Sequence, residues 1–297
     1  MPRVKRTRRK TPIVLPETTR TSSSAPQSTR TVIRRFHVLL KKRSQILNTP
    51  TADSNSVEAL ASVQHQISDL GGLKCYQRMS AVGQSGDRGG GSEKVLIRWL
   101  KELKVKSLTL KESKVRLLDV GALKPDNYKS CSSWIQCTPI DLRSRHPSIR
   151  EQDFLLMSEE HRGAWDVISL SLVLNFVPEP NDRGRMLQLA HRMLAPGGYL
   201  FLALPLPCLL NSRYLTFEHF RGLMNQLRFT EIYEKWRQGG KMAYWLYRKE
   251  DLAPSGLHLF HKKTVLRQGQ RNNFSILLKD PNGAPSMEVV PTSEASL

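Results

Sequence analysis

From Lys114 onward the chain repeats one pattern, and that pattern constrains the fold more than anything else in it: a short apolar run that closes on a polar residue or glycine, followed by a loop or helical stretch. VRLLDVGA is the first such run, WIQCTPIDLR (134–143) the second, and a third short strand is expected near Ile149 to Gln152. AWDVISLSLVLNFVP supplies a fourth strand and its exit loop, Asn181 to Leu194 a helix ended by Pro196-Gly197-Gly198, and GYLFLALPLP a fifth strand. Phe217 to Leu227 reads as a helix, and Phe229 to Trp236 with Met242 to Tyr247 as a closing antiparallel pair. Alternating strands and helices imply a parallel sheet with helices on both faces, a Rossmann-like α/β fold. Upstream, Val32 to Leu47 and Val57 to Leu70 have helical spacing, the second stopped by Gly71-Gly72. The expected organisation is a basic arm over 1–31, an N-terminal helical subdomain over 32–110, the α/β core over 111–250, and an extension with a flexible tail over 251–297.

In an open α/β sheet a ligand sits beyond the carboxyl ends of the strands, where strand order reverses, so the informative residues follow each apolar run. Gly121 follows the first strand and lets a ligand approach the backbone. Asp141 ends the second, where a carboxylate can accept hydrogen bonds from both hydroxyls of a ribose. Asp153 and Phe154 follow the third and suit the exocyclic amine and ring face of an adenine. Ser171 ends the fourth. Each alone is a weak signal, since a lone Asp at a strand end is more often a cap or a surface residue. The first loop, DVGALKPDNY, has one glycine where dinucleotide enzymes have three, which argues against a pyrophosphate cofactor. S-adenosylmethionine has no pyrophosphate and suits the simpler loop. Upstream, Gly89-Gly90-Gly91 leads into Ser92 as an expected N-cap, with Val95, Leu96, Trp99, Leu100 and Leu103 on one helix face. With Arg88 beside it, that junction is a candidate seat for a carboxylate or phosphate, and a capping glycine turn is the competing reading.

Charge bears on the partner. With 46 Lys and Arg against 26 Asp and Glu, the formal charge is +20. Residues 1–50 carry 13 Lys and Arg and one acid, Glu17, so +12 of the excess lies there. Such a chain is expected to bind a polyanion, with an affinity that falls as salt rises. Charge by itself does not separate RNA from DNA, acidic protein or anionic lipid. MPRVKRTRRK has the composition of a nuclear-import or nucleic-acid arm, and its clustered charges favour that over a mitochondrial transit peptide. Cys75, Cys131, Cys137 and Cys208 form no CxxC pair or zinc-ligand spacing, so no metal site is expected and reduced thiols are. The longest apolar runs fall short of the ~20 residues that span a bilayer, and no membrane association is expected.

The series LLDVGAL, PIDLRSRHP, IREQDFLLM, WDVISLSLVLNFVP, RMLAPGGYLFLALPLPC and NSRYLT, with YQRMSAVGQ and RGGGSEKVL upstream and RNNFSILL downstream, resembles the fungal nucleolar large-subunit (25S) ribosomal RNA adenine-N1 methyltransferases over about residues 71–279. The resemblance implies a class I methyltransferase that moves a methyl group from S-adenosylmethionine to N1 of an adenine in large-subunit ribosomal RNA. Gly121 and Asp141 match the family's principal cofactor positions, and Asp153, Phe154, Ser171 and Arg88 match further contacts. It also implies a nuclear, nucleolar location, a large-subunit ribosomal RNA or pre-ribosome as partner, and action as a monomer. Animal relatives on the same scaffold are S-adenosylmethionine sensors. A non-catalytic sensor and a basic ribosome-assembly factor with a vestigial pocket are therefore the alternative functions.

Adenine N1 carries a lone pair and a sulfonium is a strong methyl donor, so positioning suffices and no activated nucleophile is needed. Consistent with this, no NPPY-type tetrapeptide follows the fourth strand; Leu174-Asn175-Phe176-Val177-Pro178 stands there instead. Asn175 is the candidate catalytic residue, reading the edge of the base. Phe176 is a candidate to stack on it, with core packing as the competing use. Asn211, Arg213 and Tyr214, after the fifth strand, are the candidate RNA contacts, against capping and surface packing.

Overall fold

The computed structural model describes residues 29–47, 54–83, 91–105, 113–144, 146–250 and 260–278. Arg88 and the arm before Thr29 lie outside the described residues. The elements run α1 (Thr29–Leu47), α2 (Ser54–Asp69), α3 (Gly72–Gly83), α4 (Ser92–Glu102), β1 (Val115–Val120), β2 (Ile135–Asp141), β3 (Arg150–Glu151), β4 (Trp165–Ser171), α5 (Pro180–Met193), β5 (Leu194–Pro205), α6 (Pro207–Leu210), α7 (Phe217–Gln226), β6 (Phe229–Lys235) and β7 (Met242–Lys249). They build one seven-stranded sheet of order β3-β2-β1-β4-β5-β7-β6. The first five strands are parallel, and β7 inserts antiparallel between β5 and β6.

The central strands are apolar at nearly every position because both faces of the sheet are covered. Successive side chains point to opposite faces, so neighbours serve different cores. Leu118, Ile168 and Leu200 face α5 and α7, where they meet Leu187, Ala190, Phe220 and Leu223. Leu117, Val167 and Phe201 face the other way onto Leu96, Trp99 and Leu100 of α4. The expected elements are all present, with shifted ends. β5 begins at Leu194, inside the expected helix, because Leu194 already pairs with Trp165 across an irregularity that absorbs the Pro-Gly-Gly turn. Ser92 is the first residue of α4 and not its cap; Gly91 holds the cap position with a left-handed φ of 112° that favours glycine.

Two features depart further from the sequence reading. YQRMSAVGQ belongs largely to a helix of its own, α3, which with α1 and α2 forms a separate apolar cluster around Phe36, Leu39, Val63, Ile67 and Tyr76. Residues 260–278 are not an appendage to a core ending at 250: Phe260, Ile276 and Leu278 are buried in the main core. Leu277 donates its N–H to the Pro180 carbonyl at the start of α5. At Gly184 the chain passes so close that a Cβ there would run into the Leu277 carbonyl oxygen.

Candidate functional site: the crevice beyond the parallel strands

β1 pairs with β2 on one side and β4 on the other, so the chain leaves it in opposite directions and a crevice opens beyond its carboxyl end. Gly121 is the first residue in that crevice. Its φ of +73° is left-handed, and an added Cβ would lie 2.9 Å from Val173 Cγ2 in the loop after β4. Its N–H and that of Ala122 both donate to the Ile140 carbonyl, at 2.8 and 3.0 Å, which pins the first loop beside Asp141. Gln152 N–H in turn donates to the Asp141 carbonyl at 2.9 Å, and that bond brings in Asp153. Backbone hydrogen bonds thus join the predicted residues Gly121, Asp141 and Asp153 in one row.

Asp141 Oδ1 accepts from the Arg143 N–H (2.9 Å) and from Gln77 Nε2 (3.3 Å), while Gln77 also donates to the Arg143 carbonyl at 2.8 Å. Burial raises the Asp141 pKa, and the Arg143 and Gln77 hydrogen bonds oppose that rise. Its Oδ2 makes no hydrogen bond among the described residues and stays available for hydroxyl donors. Asp153 spends Oδ1 on the Leu155 N–H (2.8 Å), capping a short 3-10 turn. Phe154 is 3% exposed and packs among the core residues, so its ring is not offered to a ligand. Ser171 donates to Ser92 Oγ at 2.7 Å and ties the end of β4 to the first turn of α4.

Asp119, two residues before Gly121, is 5% exposed and accepts from Asn127 Nδ2 at 3.0 Å. It pairs with Ser169 in β4, and Glu93 from α4 adds a like charge nearby. Burial pushes its pKa up to about 6, against the Asn127 bond. Sequence reading passed it over, although a carboxylate inside VRLLDV is a detectable signal. Gln77 had no such signal, because nothing in the sequence links α3 to the end of β2.

After β4 the backbone turns through Leu172, whose φ of 59° is left-handed, and its N–H donates to the Ala203 carbonyl. Asn175 follows, with its amide oxygen buried and without a hydrogen-bond partner among the described residues. Phe176 does not face the crevice alone: its ring lies 4.0 Å from His37 and 4.8 Å from Tyr76, which makes it the contact between this loop and the N-terminal helices. Burial, with Arg183 nearby, holds His37 down at about 4, so it is neutral in that cluster at physiological pH. Asn211, Arg213 and Tyr214 belong to a loop laced to residues 260–278. Arg213 N–H donates to the Asn272 carbonyl, its guanidinium donates to the Gly269 carbonyl (3.1 Å), and Lys263 Nζ lies 6.0 Å from the Tyr214 ring centre. Arg183, 5% exposed, ties the loop after β4 to residues 260–278 by donating to the Val177, Pro178 and Ser275 carbonyls.

Among the described residues no group of His, Cys, Asp or Glu could hold a metal ion, and no helix is long and apolar enough to cross a membrane. Burial pushes the Cys208 thiol up to about 12, so it is not a nucleophile at neutral pH.

A 3-2-1-4-5-7-6 sheet, a glycine-lined first loop and an acid at the end of β2 define a class I methyltransferase. The cradle fits S-adenosylmethionine, since a Cβ at Gly121 would meet Val173 and the described hydrogen bonds of Asp141 use only its Oδ1. The profile of the family described as 25S rRNA (adenine(2142)-N(1))-methyltransferase, Bmt2, matches residues 61–276. The 25S rRNA adenine-N(1) methyltransferase of Schizosaccharomyces pombe is 37% identical over 252 residues, covering 82% of this chain and 89% of that protein. The 25S rRNA (adenine(2142)-N(1))-methyltransferase of Saccharomyces cerevisiae is 32% identical over 248 residues, covering 82% of this chain and 71% of that protein. The chain belongs to this family of 25S ribosomal RNA adenine-N1 methyltransferases. Among solved structures, a Burkholderia thailandensis 1,6-didemethyltoxoflavin-N1-methyltransferase overlaps 69% of this chain and 93% of its own at 15% identity and a TM-score of 0.45.

Proposed function

We propose that the protein methylates N1 of an adenine in large-subunit ribosomal RNA with S-adenosylmethionine as donor, acting as a monomer in the nucleolus. The observation that carries this is the match to the family over residues 61–276, a span that contains the whole crevice. The cofactor, when bound, supplies an electrophilic methyl group on a sulfonium. Gly121 leaves room for it, Asp141 takes the ribose hydroxyls, Asp153 the adenine amine, and Ser171 closes the wall toward α4. Arg88, outside the described residues, is assigned to the cofactor carboxylate by family resemblance. Phe154 supports the adenine side from within the core and not as a stacking face.

The acceptor nitrogen brings its own lone pair, so the protein's task is to hold it in line and to exclude water. N1 lies on the Watson–Crick edge and is occupied in a paired adenine, which requires the base to leave its helix. Asn175 is the residue assigned to that edge, and its unpartnered buried amide oxygen is the acceptor an N6 amine would satisfy. Phe176 acts by seating the N-terminal helices, and Asn211, Arg213 and Tyr214 meet the flanking RNA.

Mass spectrometry of nucleosides from large-subunit RNA, with and without the gene, tests the reaction: N1-methyladenine should disappear at one position and return with the wild-type chain. Asn175→Ala should restore it about tenfold to a hundredfold more slowly in a purified assay, the effect of one positioning hydrogen bond. S-adenosylmethionine affinity should be unchanged in that variant. Binding of the cofactor without any N1-methyladenine dependence on the gene would return the sensor reading.

A further inference from the structure

Two stretches of this chain carry positive charge with no acid at all. Thr29–Leu47, which forms α1, contains six Lys and Arg, and residues 260–278 contain four. They lie more than 200 residues apart in sequence, yet the fold sets them side by side around the exit loops of β4 and β5. Lys41 of α1 is close enough to Lys263 and to Arg183 for both to lower its pKa, in addition to its burial. Ser44, one turn further along α1, donates to Glu179 Oε1 at 2.7 Å, just before α5. Lys263 in turn stands over Tyr214.

Among the described residues acids are sparse there: Glu179 acts on Lys41 and Glu218 on Arg267. The salt bridges among the described residues involve His65, Arg98, Arg116, Arg162, Arg192 and Arg221, none of which lies in either stretch. Glu179 already accepts from Ser44. Gathering six and four cations around so few carboxylates costs stability unless an anion completes the arrangement. Lys263 stands over Tyr214, and His37, one turn before Lys41, packs on Phe176 next in sequence to Asn175, which sets the course of that anion along the exit loops.

We propose that the α1 face and residues 260–278 together form an RNA phosphodiester track, with Lys41 and Lys263 as its two central contacts at the mouth of the crevice. This rests on the reading of the protein as an RNA methyltransferase. It adds a surface that no single segment of sequence contains: the strand leaving the target adenine passes between α1 and the 260–278 segment. The track is sequence-independent, because ammonium groups meet phosphates and not base edges.

The test measures binding of the full chain to an adenine-containing single-stranded oligoribonucleotide at several salt concentrations. Lys41→Gln and Lys263→Gln should each weaken binding about three- to tenfold, and each should lower the slope of log affinity against log salt by about 0.7, the release expected for one single-strand phosphate contact. Arg162→Gln, which removes an ion pair away from the track, should change neither. Retained S-adenosylmethionine binding reports that each variant is folded, and exposed Lys263 gives a readout if the Lys41 variant is not. Wild-type RNA binding with unchanged affinity and slope in both lysine variants overturns the track and leaves the methyltransferase reading standing. A wild-type chain that binds polyglutamate but not RNA overturns both and assigns the surface to an acidic protein.

Discussion

The crevice has two halves that were built differently. The half proposed for the cofactor, around Gly121, Asp141 and Asp153, is made of residues at or just after strand ends, joined by backbone bonds from Gly121 to Ile140 and from Gln152 to Asp141. The half proposed for the acceptor, around Asn175, Arg213 and Tyr214, is framed by segments from either side of the core. Tyr76 and His37 hold Phe176, while Ser275 and Gly269 hold Arg183 and Arg213. The contrast teaches that the row proposed for a common cofactor is set mainly by strand ends, with Gln77 of α3 as its one added support to Asp141, whereas the region proposed for a particular acceptor is framed by additions to the sheet.

The sharpest way to break this contrast is Gly121→Arg. A long side chain at a left-handed residue already 2.9 Å from Val173 as a bare Cβ should fill the cofactor space, and calorimetry should find binding weakened more than about a thousandfold, or ~4 kcal/mol. Asp141→Ala acts on the same half and should weaken cofactor binding by about 2 to 4 kcal/mol, for two hydrogen bonds to a charged acceptor. Unchanged affinity in a folded Asp141→Ala protein would remove that carboxylate from the site. Neither variant should alter RNA affinity if the halves are independent.

Gly184→Ala probes the other half. Its Cβ meets the Leu277 carbonyl, so residues 260–278 must shift, and denaturant unfolding should show a loss of roughly 3 kcal/mol. RNA affinity should fall with it while cofactor affinity holds. Equal stability would mean that the 260–278 segment is not wedged against α5.

Asp119→Asn makes the smallest change and depends on pH. The folded pKa, about 6, is above the unfolded value of 3.8, so the native state keeps a proton that the unfolded chain releases between these values. Stability from this group is therefore complete below about pH 4 and is lost as pH rises to about 6. Asparagine resembles the protonated acid, so the variant should gain on the wild type by about 2 kcal/mol between pH 4 and pH 7. A stability difference that does not vary with pH would place the charge elsewhere.

The strand positions were legible because apolar runs of five to seven residues leave few alternatives, and the acids at their ends were legible because a crevice at the switch point demands them. Phe154 was misjudged for the same reason: position after a strand does not reveal whether a ring turns inward, and this one fills the core. α3 was not anticipated because it is short and begins within the glycine pair that ends α2, and it is seated by packing Tyr76 on Phe36 and Phe176. Residues 260–278 have little regular secondary structure. The burial of Phe260, Ser275, Ile276 and Leu278 among them follows from long-range packing, with the Ser275 carbonyl on Arg183 and the Leu277 carbonyl against Gly184, that no local pattern encodes.

By itself the sequence determined the α/β alternation, the polar and glycine residues at the strand ends and the excess of positive charge, because strand periodicity, strand-end chemistry and composition are local properties. Only the tertiary structure decided that Gln77 supports Asp141, that Phe176 seats the N-terminal helices, and that Lys41 comes within electrostatic reach of Lys263. Those pairings join residues 64, 139 or more than 200 positions apart, and a contact of that kind exists only once the core between its partners has closed.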